Sequence, residues 1–162
     1  MKRRRVARTP LVNTMAIAIN QARCLSKEDV ANQIGLVTLS LAQFDSRQAW
    51  LNMADTVNMS EAFARARIGS GPQADEVVLM AQQALHASHQ RHAESGAWAL
   101  EANESEALHW LLRLHALQLG ACSFGEFQYA MKSVERRTSQ ALAGNGPRGV
   151  VVVGEMREEV AA

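Results

Sequence analysis

Apolar positions recur at intervals of three and four along nearly the whole chain, the spacing that gathers them on one side of an α-helix. Thr9-Pro10 is a start signal, an N-cap followed by a residue whose missing N–H costs nothing at the first helical position. From there to about Arg23, Leu11, Val12, Met15, Ala18, Ile19 and Ala22 share one side, and Asn13, Thr14, Asn20 and Gln21 another. Ser26-Lys27-Glu28-Asp29 opens a second helix, with Ser26 positioned to accept a first-turn N–H and the two acids at the positive end of the helix dipole. Its Val30, Ile34, Val37, Leu41 and Phe44 form a narrow seam suited to packing against another helix. Asp45 and Gln48 signal a third helix carrying Trp50, Met53 and Val57 and, offset from them, Met59, Phe63 and Ala66; Asn58 and Ser60 are where it would bend.

Gly69-Ser70-Gly71-Pro72 reads as a stop and restart, with Pro72 as the first residue of a fourth helix. Val77, Val78, Met80, Ala81, Ala84 and Leu85 fill its first half. The second half turns polar through His86, His89, Gln90, Arg91, His92 and Glu94, so its end is expected to project into solvent before Ser95-Gly96 closes it. Asn103 is the expected cap of a fifth helix, running to Leu119 and apolar nearly all round, which places it at the centre. Ser123 with Glu126 forms a capping box for a last helix, with Phe127, Met131 and Val134 inward and Arg136 and Arg137 outward. The expected fold is all-α: a single-domain bundle of five to six mostly antiparallel helices over residues 9–143. A flexible basic arm (1–8) precedes it, and a disordered tail (144–162), Gly-rich and then Val-rich, lies beyond it.

The length of 162 residues suits one such domain, and 48% hydrophobic with 20% charged residues excludes a disordered or collagen-like chain. No run approaches the roughly 18 consecutive apolar residues of a membrane span. Met1–Arg8 is basic like the start of a signal peptide, but Asn13 and Thr14 interrupt the apolar stretch after it; the Arg-rich, acid-free start has features of a mitochondrial presequence but is poor in Ser, and neither signal is expected. Cys24 and Cys122 lack CxxC spacing, so neither a disulfide framework nor a zinc site is signalled, and a reducing, cytoplasmic home is expected.

Charge is concentrated. Lys2, Arg3, Arg4, Arg5 and Arg8 lie within eight residues, and without them twelve Lys and Arg face sixteen Asp and Glu, a net of −4. A DNA-binding domain clusters basic side chains on one face; here only the arm offers that.

Motifs for chemistry are thin. Gly144, Gly146 and Gly149 match GxGxxG, but they follow a helix and precede valines, whereas a dinucleotide loop follows a strand and opens a helix; no cofactor is expected. His86, His89 and His92 recur every three residues, and Glu106 with His109 forms an ExxH. A carboxylate-bridged metal bundle needs two such motifs, and spacing by three turns each successive His by roughly 60° around the axis. A solvated helix end explains the trio, and a surface ion pair with His109 or Arg113 explains Glu106. His115 shares a side with Leu108, Leu112 and Leu119 and is expected to be buried and hydrogen-bonded. No Ser or Cys sits in a nucleophile motif, so an enzyme is not expected.

Residues 25–47 resemble a helix-turn-helix in layout, with small Ala31, Gly35 at the turn, and Leu36, Leu41 and Phe44 inward. The would-be recognition helix presents Thr38, Gln43 and Arg47 with little positive charge, and the unbroken Val30–Phe44 seam favours one continuous helix. The function expected is therefore a non-enzymatic interaction domain that binds another protein or a second copy of itself. Met53, Met59, Met80 and Met131 would supply either adaptable contacts or core filling. The alternative is a DNA-associated regulator using Lys2–Arg8 and the 26–47 segment, and a minor alternative is a metal-binding helical bundle drawing on His86, His89, Glu106 and His109.

Overall fold

The computed structural model describes residues 25–144, which form five helices and no strand. They are α1 (Lys27–Ala42), α2 (Arg47–Arg65), α3 (Ala74–Ser95), α4 (Ala102–Ala121) and α5 (Phe124–Leu142). The expected helix over 9–23, the basic arm and the tail from 145 onward lie outside the described residues. No described helix is long and apolar enough to cross a membrane.

Local signals fix most of the helix starts. At α1, Ser26 Oγ accepts from the Asp29 N–H at 3.1 Å, and the Asp29 carboxylate accepts from the Ser26 N–H at 3.1 Å, a reciprocal box. The Ser26 hydroxyl also donates to the Asp29 carboxylate at 2.6 Å, and this bond together with the one from the Ser26 N–H holds the Asp29 carboxyl below its ordinary range. Ser123 and Glu126 repeat the arrangement at α5. Three starts differ from expectation. The cap of α2 is Ser46, not Asp45, with Ser46 Oγ accepting from the Ala49 N–H at 3.2 Å. The cap of α4 is Glu101, not Asn103, and α3 begins at Ala74, two residues after Pro72. Gly96, in the left-handed conformation at φ 73°, ends α3 as expected.

The helix α2 is the axle of the bundle, touching the other four. It runs unbroken through Asn58 and Ser60, whose side chains are buried instead of bending it. α3 returns antiparallel to it, so that Trp50 near the start of α2 donates through Nε1 to the Leu85 carbonyl at 3.1 Å. α4 packs against α2, α3 and α1, and α5 lies chiefly along α2.

Met53, Val57, Leu85, Leu108 and Leu111, all without exposed surface, form the heart of the main core. Each such side chain contributes about 1.5–3 kcal/mol relative to exposure. A second cluster of Ala62, Phe63, Ile68, Leu119, Cys122 and Ala130 joins α2, α4 and α5.

The loop after α2 is pressed against α4. Gly69 has φ +55°, and a Cβ there would lie 2.7 Å from Gln118 Cα. Only glycine meets both demands, the left-handed backbone and the close approach.

Three expectations about facing are corrected. The α4 helix is not apolar-buried all round, because Trp110 and Leu117 are 48% and 68% exposed. In α5, Met131 faces out and Arg137 faces in, where it finds a carboxylate partner. The end of α3 does not project freely: His92 stacks on Trp98 with ring centroids 3.8 Å apart, His89 tilts against Trp50 and Trp98, and Arg91 pairs with Glu104.

Candidate functional site

Two features stand out above a well-packed bundle: a polar layer inside it and an open apolar groove on its surface. The polar layer grows from the middle of α2, which buries Thr56, Asn58, Ser60 and Glu61. Glu61 accepts from Arg65 within its own helix at 2.8 Å, from Gln82 on α3 at 3.0 Å and from Arg137 on α5 at 2.6 Å. A carboxylate removed from water needs such partners, and this one draws them from three helices.

On another side of α2, Ser60 Oγ lies 2.9 Å from His115 Nδ1, and Gln118 donates to the Ser60 carbonyl and to Ser70 Oγ, each at 3.1 Å. Burial pushes the His115 pKa down to about 4, partly offset by the Gln118 side chain, so the imidazole is neutral near pH 7. A serine hydroxyl beside an imidazole is the pairing nucleophilic catalysis uses. Here Ser60 has no exposed surface, which closes it to a substrate, and the pair serves as a polar clasp between α2 and α4.

The groove lies between α3 and α4 and encloses about 260 Å³. Val77 and Met80, three residues apart on α3, line one wall; Ala107 and Trp110, three apart on α4, line the other; Gln73 and Glu76 bound it toward the start of α3. Small Ala107, beside Trp110 on one wall and across from Met80 on the other, leaves the depression. Met80 is 44% exposed, and Arg113 lies over the Trp110 ring at 4.7 Å, a cation–π contact that orients the indole.

The residues singled out from the sequence fall elsewhere. His86 is exposed, while His89 and His92 are engaged with Trp98, and Glu106 and His109 sit on the outer side of α4 with His109 Nδ1 2.8 Å from the Ser105 carbonyl. Among the described residues no three potential ligands converge on a metal position. The helix-turn-helix layout is absent, because α1 continues straight through Gly35 and the chain turns only after Ala42. Thr38 Oγ1 is turned back onto the Ile34 carbonyl at 2.7 Å, Gln43 caps α1, and Arg47 opens α2, so the three do not share a recognition helix. Lys2, Arg3, Arg4, Arg5 and Arg8 lie outside the described residues.

Trp110 is the groove residue on α4 that sequence reasoning placed wrongly, by assigning it to an all-round buried helix. Its neighbours four residues before and three after, Glu106 and Arg113, were the available signal, since they mark that side of α4 as solvent-facing. No family model, curated protein or solved structure matches this chain.

Proposed function

We propose that this chain is a non-enzymatic interaction domain that associates with protein, and first with a second copy of itself, through the groove between α3 and α4. The observation that carries the reading is Trp110, a large aromatic left half in solvent beside Met80 and Val77 in a concave apolar site. Tryptophan seated in a pocket is the residue type that most often dominates binding energy at interfaces, and methionine adapts to a partner's shape. The closure of the Ser60–His115 pair to solvent supports an interaction role over a hydrolytic one.

Light scattering in line with size exclusion, run over a range of protein concentrations, tests this. The expected result is a mass above the 17.7 kDa of one chain that falls to 17.7 kDa in the double variant Trp110→Ala, Met80→Glu, with an unchanged circular dichroism spectrum. A single-chain mass for the native protein at every concentration overturns self-association.

A second reading, a DNA-associated regulator, has the arm Lys2–Arg8 as its support. Five positive charges in eight residues would give affinity with a steep salt dependence and little sequence preference. Titrating a non-specific duplex at low salt with the full chain and with residues 1–8 deleted decides it; equal and negligible binding removes this reading.

A further inference from the structure

The outer face of α1 leaves Leu36 and Leu39 in solvent among the described residues, and its sequence neighbour has the pattern and charge to cover it. Of the sixteen residues of α1, only Leu41 is buried. Val30, Ile34 and Val37 lean half-buried on the bundle, while Leu36 and Leu39 are 67% and 54% exposed on the far side. Between them Gly35 faces open space, with nothing within 4 Å of where a Cβ would stand. A short helix gains most of its stability from packing an apolar stripe, and the outer stripe of α1 has no partner among the described residues.

We propose that residues 9–23 of the same chain dock on this face as an antiparallel helix, forming a hairpin with α1 through the short connection Cys24-Leu25-Ser26. The inference is independent of the α3/α4 groove. In a hairpin turning about residue 25, facing positions sum to roughly 50, because both arms climb at the same 1.5 Å per residue. Leu39 then meets Leu11, Gly35 meets Met15, and exposed Ala31 meets Ile19. The stripe on α1 runs small, small, large from its start, and the facing stripe Ile19, Met15, Leu11 sets large side chains over the two small ones. Such alternation is what lets facing helices interdigitate.

Charge agrees with this register. The last turn of α1 carries no basic residue to balance the negative end of its dipole, and Arg8 falls opposite Ala42 there.

Disulfide trapping in the full chain tests the register. Leu11→Cys and Leu39→Cys are combined with Cys24→Ser, and buried Cys122 is left in place. Facing helical positions bring the two Cα atoms near the 4.4–6.8 Å that a disulfide spans. Mild oxidation is expected to consume both introduced thiols while the protein stays at single-chain mass on a non-reducing gel. A product of twice that mass assigns the face to a second copy and overturns the proposal, as do two thiols that remain free to alkylation. Hydrogen exchange gives a second readout in a chain without introduced cysteines. Met15→Glu in the otherwise native chain is expected to speed exchange across residues 33–42 at least tenfold, with 108–114 in α4 unaffected. Equal rates in the two chains, or acceleration spread evenly over α1 and α4, overturn it.

Discussion

Arg137 Nη2 lies 2.6 Å from Glu61 Oε2, both side chains being about nine-tenths buried, and this contact ties the last helix of the bundle to the middle of its axle. The pair spans 76 residues of sequence. Breaking a buried ion pair from one side leaves a charge without its partner and costs about 3–5 kcal/mol, whereas replacing both partners with apolar groups is close to neutral. Glu61 keeps Arg65 and Gln82, so Arg137→Ala is expected near the lower end, about 3 kcal/mol, by urea denaturation. The double variant Glu61→Leu, Arg137→Met is expected to recover most of that loss. A double variant that loses as much stability as the two single changes added together would show that the pair is not a coupled unit.

His115 makes stability depend on pH in one direction. Its native pKa of about 4 lies below the ordinary 6.5, so between these values the unfolded chain binds a proton that the native chain does not. Stability is therefore full above about pH 6.5 and falls as the pH drops toward 4, by roughly 3 kcal/mol over the whole window. Urea midpoints measured from pH 7.5 to 4.5 are expected to show this slope, and His115→Asn is expected to flatten it. A slope identical in the variant would assign the titration to another group.

Gly69 and Gly120 should answer alanine oppositely. A Cβ at Gly69 meets Gln118 Cα at 2.7 Å from a left-handed backbone, so Gly69→Ala is expected to destabilise by about 1–3 kcal/mol. Gly120 is helical with nothing within 4 Å of its Cβ position, and Gly120→Ala is expected to stabilise by up to about 1 kcal/mol. Thermal melts of the two variants measured side by side give the sign of each.

Zinc or nickel at low molar excess is expected to leave the melting temperature unchanged. His89 and His92 are held against Trp98, and His109 is turned onto its own helix, so no ligand set is prearranged among the described residues. A rise of several degrees would overturn this expectation.

How much of the fold is legible in the sequence depends on the range of the interactions involved. The Ser26–Asp29 and Ser123–Glu126 boxes close within four residues, and both helix starts are readable from the residues alone. Helical period is enough to give the inward side of α2, from Trp50 to Phe63, and the burial of His115 among leucines. Arg137 is misplaced because its partner lies in α2, and a charged residue beside Arg136 looks solvent-facing until that carboxylate is known. The polar end of α3 is misread for the same reason: Trp98 and Glu104, which cover His92 and Arg91, belong to the following connection and helix. The α4 cap moves to Glu101 because Glu104 serves the Glu101 N–H and the Arg91 guanidinium together, a tertiary anchor that outweighs the local preference for Asn103. The groove is hidden from the sequence because it exists only where two helices meet.

The three tryptophans occupy three different surroundings: Trp50 is enclosed, Trp98 is stacked under an imidazole, and Trp110 stands half in water. Trp110 is thus an intrinsic optical probe at the mouth of the groove. Whatever settles there must strip water from that indole and shift its emission to the blue, so occupancy can be followed in the unlabelled protein, with Trp110→Phe as the silent control.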